Sequence, residues 1–330
     1  MRPVRLLRVQ LACVAALAAV VALLSGGCGG SSVWPDHPGP KVVVSFAPLY
    51  SFAANVAGED AVVKTMMSTS GPHDFNPTDM DARLIRHANL FFINGLSLDN
   101  GVADTLRHGS GNRDLKIVPL GDLIPPALLL EMAEEHDHDH THGHAHHHHD
   151  GHDPHVWLSP ERAIVMVEGI RDELKAADPV HAAGYDRRAA EYMGKLRQLQ
   201  ADGKELLKGK TDRKLVTFHE SLSYFAKSFD LQIEGVIQKK PGIEPNSNEL
   251  RQLIQVCREK KVRLIAVEPQ YATNTSADTV LRELRRANVA TDPAVVQIDP
   301  LETADPGAIT ADWYEHKMRA NLAALAEAMK

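Results

Sequence analysis

The chain has 330 residues, 44% of them hydrophobic, which is enough to bury the cores of two domains. A formal charge of −7, an aromatic content of 5% and the lack of any basic stripe interleaved with aromatics exclude nucleic-acid binding. Its three cysteines, Cys13, Cys28 and Cys257, are too few and too scattered for a disulfide scaffold.

Residues 1–27 predict a signal peptide, with a basic start at Arg2, Arg5 and Arg8, an apolar run from Val9 to Leu24, and small residues at Ser25, Gly26 and Gly27. The apolar run is short for a membrane span. The Gly27-Cys28 junction resembles a bacterial lipoprotein cleavage site, with Cys28 as the lipid-bearing first mature residue and Ser25 departing from the usual pattern. A plain secretory signal is the alternative; Cys13 leaves with the signal, and acylation of Cys28 would leave Cys257 without a disulfide partner. Residues 28–40, rich in Gly, Ser and Pro, read as a tether.

Residues 41–177 predict an α/β lobe. The β-branched run Lys41 to Phe46 reads as a buried strand, followed by a helix from Pro48 to Val56 that Gly58 ends. Further strands are expected at Ala61–Met67, Leu90–Ile93 and Lys116–Val118, with helical spacing over Pro77–His87. Strands alternating with helices predict a parallel sheet covered on both faces. After the second strand, Gly71-Pro72-His73-Asp74-Phe75-Asn76-Pro77 forms a Pro-bounded loop where open α/β sheets bind ligands, and His73 is its metal-capable residue. His87 and His108 read as solvated.

The segment 134–153 has no hydrophobic face at period 3.6 or period 2. Ten of the eighteen histidines lie here: His136, His138, His140, His142, His144, His146, His147, His148, His149 and His152. Interleaved Asp, Thr, Gly and Ala and an internal position argue against a tag. Imidazole at this density points to a metal-collecting loop, because neutral imidazole is the commonest nitrogen ligand for zinc. The order resumes at Asp153-Pro154-His155-Val156-Trp157-Leu158, which makes His155 part of a fixed site beside the loop. Ser159-Pro160 then predicts an N-cap and first helical turn for a helix reaching Ala177.

Residues 178–209 predict one linking helix, Pro179 to about Leu207, stopped by Gly209. Roughly thirty residues at 1.5 Å each span roughly 45 Å, a length suited to a strut between two lobes. Residues 210–330 repeat the first architecture. Strands are expected at Lys214–Phe218, Leu231–Ile237, Arg263–Val267 and Val295–Ile298, and helices at Ser221–Phe229, Asn248–Lys260, Ser276–Ala287 and Ile309–Met329. His219 follows the first of these strands and Asp299 the last. His219-Glu220-Ser221 lacks the second histidine of a zincin helix.

His73, His155, His219 and Asp299 thus form a candidate set of three imidazoles and a carboxylate, drawn from both lobes and suited to Zn²⁺. The segments GPHDFNPTDMD, DPHVWLSP, VTFHESLSYFAKSFDLQ, VEPQY and QIDPLE resemble the solute-binding lipoproteins of zinc and manganese ATP-binding-cassette importers. The resemblance covers nearly the whole mature chain. It implies an α/β fold of two lobes, each a mostly parallel sheet flanked by helices, joined by one long rigid helix with a metal site in the cleft. It carries the ligand roles onto His73, His155, His219 and Asp299, with Glu268 and Glu220 as neighbouring carboxylate candidates. The histidine-rich loop and His219 match the zinc type, with Mn²⁺ the alternative ion; lone Cys257 and Pro72 depart from some zinc-type members. The implied role is not enzymatic. It is an exported, lipid-anchored monomer that captures Zn²⁺ for a permease and its ATPase. A metal-buffering adhesin and a secreted zinc hydrolase are the competing classes, and the second needs a ligand position left for water.

Overall fold

A computed structural model describes residues 33–132, 151–238, 244–269, 275–286 and 293–330. The chain divides into two compact units, Met1–Asp36 and His37–Lys330. The second unit contains two four-stranded parallel sheets.

In the first sheet, β1 (Lys41–Val44), β2 (Val62–Thr65), β3 (Leu90–Ile93) and β4 (Lys116–Pro119) stand in the order β2-β1-β3-β4. In the second, β5 (Lys214–Thr217), β6 (Gln232–Val236), β7 (Leu264–Val267) and β8 (Ala294–Gln297) repeat that order as β6-β5-β7-β8. Both orders reverse direction once, between β1 and β3 and between β5 and β7, and the crevice beyond such a switch point is where open α/β sheets place ligands. The central strands are apolar throughout, since helices cover both faces: β3 reads LFFI and β7 LIAV, with every residue buried.

Helices α1 (Ala47–Ala57), α2 (Asp79–Arg86) and α3 (Asn100–Ser110) connect the first sheet. A capping box between Thr78 and Asp81 starts α2 directly after the His73 loop. Helix α3 was not foreseen from the sequence. Helix α4 (Pro160–Ala177) begins as expected, but Ser159 makes no capping bond; its hydroxyl instead meets Arg162 Nη1 at 3.2 Å and Ser228 Oγ at 2.9 Å.

The linking segment starts as a short 3-10 turn, Pro179–His181, and continues as the 25-residue helix α5 (Ala182–Leu206). It buries Tyr185, Ala189, Tyr192, Met193, Leu196 and Leu199 and packs against α1, α4 and the last helix, α9 (Trp313–Ala328). In the second lobe, α6 (Ser223–Ser228), α7 (Ser247–Lys260) and α8 (Thr275–Arg286) complete the fold. Helix α6 is shorter than expected, so His219 lies in a turn before it rather than at its start. Cys257 is a free, fully buried thiol on α7. Among the described residues no helix is long and apolar enough to cross a membrane.

One apolar core runs through both sheets, from Val42 and Phe92 through Trp157 and Leu196 to Leu264 and Trp313. Two glycines of α5 test its packing. A Cβ on Gly203 would stand 2.5 Å from the buried Phe229 ring and 2.7 Å from Leu322, whereas one on Gly194 would meet nothing within 4 Å. Gly203→Ala should therefore destabilise by about 1–3 kcal/mol through overpacking. Gly194→Ala should stabilise by up to about 1 kcal/mol through helix propensity. Denaturant unfolding of the two variants checks the opposite signs.

Candidate metal centre

Four side chains meet in the cleft: His73, His155, His219 and Glu302. One donor atom from each lies within 4.8 Å of all the others. His73 Nε2 stands 3.2 Å from His155 Nε2, and Glu302 Oε1 lies 3.6 Å from the first and 3.4 Å from the second. A tetrahedral zinc site with bonds of about 2.0–2.1 Å has edges of about 3.3–3.4 Å. The spacing is thus that of ligands around one ion.

Each donor is delivered by a different local device. His73 sits in the loop after β2 and is the most exposed of the four. Gly71 in that loop lies beside Glu302, and a Cβ there would stand at ordinary contact distance, 3.4 Å, from Glu302 Oε2. His155 is fixed by Asp153, whose Oδ1 accepts from both the His155 backbone N–H (2.9 Å) and Nδ1 (2.7 Å). The first bond closes an Asx turn across Pro154, and the second fixes the ring so that Nε2 faces the cleft. Asn94, at the end of β3, holds this turn through a 3.0 Å bond to the Pro154 carbonyl. His219 follows β5, and its Nδ1 pairs with Glu268, which follows β7 across the switch point. His219 Nε2 is buried and makes no hydrogen bond.

Glu302 corrects the expected carboxylate. Asp299 does not join the cluster: its Oδ2 binds Lys317 Nζ at 2.8 Å and its Oδ1 accepts from the Leu301 N–H at 2.8 Å. The chain then turns at Leu301, whose φ of 64° is left-handed, and Glu302 enters the cleft. The pattern Asp-Pro-Xaa was the available signal, because Asp before Pro commonly spends its carboxylate on the N–H two residues ahead. Of the other acidic candidates, Glu268 supports His219, and Glu220 lines the cleft outside the donor group. His87 and His108 are exposed and remote from the four.

The cleft encloses about 750 Å³. His152 lines it and forms an isolated antiparallel bridge with Glu131, so the two ends of the histidine-rich segment stand at its wall. The approach to that segment is pinned by Arg162, which donates to the Leu128 carbonyl, and by Tyr224 Oη, which accepts from the Leu130 N–H at 2.8 Å. His136, His138, His140, His142, His144, His146, His147, His148 and His149 lie outside the described residues, as does Cys28.

Burial would lower the His155 pKa, but the hydrogen bonds and charges of Asp153 and Glu302 outweigh it and raise the value from 6.5 to about 10. Burial would raise Glu302, but its bonds to His155 and His73 hold it well below the usual carboxylate range. The metal-free cluster therefore carries a His155 proton at neutral pH. That ion pair stabilises the fold fully below pH 6.5 and is lost as pH rises towards about 10. A metal must displace the same proton, so its affinity runs the other way. Between pH 7 and 9, zinc binding should release about one proton and tighten by about tenfold per pH unit. Calorimetry in buffers of different ionisation enthalpy counts the proton, and pH-independent affinity in this range would contradict it.

The chain matches known proteins along most of its length. Residues 42–328 match the family model described as ZnuA, zinc-uptake complex component A, periplasmic. The zinc-binding lipoprotein AdcA of Streptococcus pneumoniae (strain R6) is 32% identical over 291 residues, which cover 86% of this chain and 55% of that protein. This chain thus spans about half the length of the streptococcal AdcA proteins that it matches. The high-affinity zinc uptake system protein ZnuA of Bacillus subtilis is 32% identical over 269 residues, 79% of this chain and 82% of that one. Among solved structures, AdcAII of Streptococcus pneumoniae superposes with a TM-score of 0.69 at 26% identity, covering 88% of this chain and all of that one.

Proposed function

This chain belongs to the family of the periplasmic zinc-uptake component, and we propose from that premise that it captures Zn²⁺ outside the cytoplasm and delivers it to the permease of an ATP-binding-cassette importer. The observation that carries this reading is the group of four donor atoms within 4.8 Å, three imidazole nitrogens and one carboxylate oxygen. Nitrogen-rich donors of intermediate softness suit zinc better than the all-oxygen sets of harder ions. His73, His155, His219 and Glu302 are the proposed ligands, and zinc is their cargo. A fourth protein ligand closes the position that a hydrolytic zinc site keeps for water. The fold and family are those of solute-binding proteins, and no catalytic step is assigned.

The histidines from His136 to His149 are proposed to bind further zinc weakly. A chain that must be ordered around the ion loses about 1–2 kcal/mol per residue fixed, a cost that ligands already held by turns and strands avoid. His155→Ala, His219→Ala and Glu302→Gln should each weaken the tight site by at least about tenfold. Deleting residues 133–150, which keeps the Glu131–His152 bridge, should reduce the zinc stoichiometry to about one and leave the tight site within about threefold of wild type. Competition with a chromogenic chelator measures both. Wild-type affinity in a ligand variant rules that ligand out, and loss of the tight site on deletion places loop histidines within it.

Cys28 is proposed to carry the lipid that holds the protein at the membrane, since one acyl chain alone anchors marginally and a lipoprotein modification supplies several. Cys28→Ala should shift the mature protein from the membrane to the soluble fraction, and a variant that still sediments with membranes refutes the anchor.

A further inference from the structure

Glu302 reaches the cleft only because the three residues before it make a tight, supported turn. Asp299 Oδ1 accepts from the Leu301 N–H at 2.8 Å, closing an Asx turn across Pro300. Asn321, a buried side chain on α9, clamps the backbone of Asp299 from both sides: its Oδ1 accepts from the Asp299 N–H at 2.9 Å, and its Nδ2 donates to the Asp299 carbonyl at 2.7 Å. Leu301 is fully buried and left-handed, at a φ of 64° that a branched side chain adopts only when its surroundings impose it. Pro300 is tied to the other lobe, its carbonyl accepting from the Trp157 indole at 2.8 Å. Beyond Glu302, the Ala304 N–H donates to the Ser68 carbonyl at 2.7 Å, near the His73 loop.

The same device appears once in each lobe. Asp153-Pro154-His155 and Asp299-Pro300-Leu301 both use an aspartate Oδ1 to accept the N–H two residues on, and Trp157 links the two turns. In the first, the turn presents His155; in the second, the residue after the turn is Glu302. Resting on the ligand set proposed above, we propose that Asp299 is a positioning residue: its carboxylate holds the turn that aims Glu302 at the ion, without binding the ion itself. The oxygen that accepts from Leu301 does this, more than the charge facing Lys317. That ion pair is partly exposed, with 41% of the Lys317 side chain open to solvent, and pairs of that kind contribute little.

Four variants of the full chain separate these roles. Asp299→Ala removes the acceptor and should weaken zinc by about tenfold or more, the usual scale for a residue that orients a metal ligand. Asp299→Asn keeps an oxygen at the same reach and should stay within about threefold of wild type. Asp299→Glu keeps the charge but moves the carboxylate away from the Leu301 N–H, so it should bind more weakly than Asp299→Asn. In a Glu302→Gln background, Asp299→Ala should add less than about threefold, since the ligand it aims is already gone. Cobalt absorption supplies the signature that a general loss of stability would not: the Asp299→Ala spectrum should move towards that of Glu302→Gln. If Asp299→Ala does not fold, the Asn and Glu variants decide by their order. Wild-type affinity in Asp299→Ala, Glu binding tighter than Asn, or fully additive penalties in the double variant each overturn the positioning role. Wild-type affinity in Glu302→Gln overturns the ligand reading, and this inference with it.

Discussion

A single hydrogen bond sets the geometry of the cleft: the Trp157 indole N–H donates to the Pro300 carbonyl at 2.8 Å. Both groups are buried, and buried polar groups that lose their partner are costly, by about 1–3 kcal/mol. Trp157 stands two residues after His155, and Pro300 two before Glu302, so the bond ties together segments of the two lobes that bring side chains to the cluster. The indole has little freedom to adjust. Its ring meets Phe46 edge-on with centroids 4.8 Å apart, and its own carbonyl accepts from Tyr314 Oη at 2.7 Å. The resulting chain, from β1 through the indole to α9, is why donors from segments far apart in sequence arrive within 4.8 Å.

Around that frame the electrostatics are arranged in two layers. The inner layer is three imidazoles and Glu302. Behind it, Asp153 takes the Nδ1 of His155 and Glu268 takes the Nδ1 of His219, which assigns Nε2 of each ring to the centre and makes it a better donor. Without a cation the acidic layer draws a proton onto His155. On the proposed function, a metal ion would exchange for that proton, one positive charge for another beside a buried carboxylate.

Much of this was legible in the residues, and the failures have physical causes. The strands were readable because runs such as VVV and LFFI are continuous, β-branched or aromatic, and bounded by Gly, Asn and Pro. Helix α3 was not, because Gly101 and Gly109 dilute a segment whose buried face amounts to Ala103, Leu106 and Ser110. Inside α5, Gly203 sits where Phe229 and Leu322 leave no room for a methyl group. His73, His155 and His219 could be picked out by their positions after strands or in Pro-bounded turns. Glu302 could not, because the turn that reverses the chain depends on a left-handed Leu301, which no propensity announces. Asp299 was the residue that the pattern favoured; the pattern marked a supported turn, and the residue three places on is the one that joins the cluster.

The continuous core that joins the two lobes has a consequence for stability. Since Val42, Trp157, Leu196 and Leu264 belong to one apolar body, the lobes share their fate on unfolding. Binding energy gained at the cleft is then credited to the entire chain, and by mass action amounts to about 4 kcal/mol when free metal stands at a thousand times its dissociation constant. On the proposed function, the occupied form would resist unfolding more than the empty one throughout the chain. Stability against unfolding would then follow occupancy of the cleft.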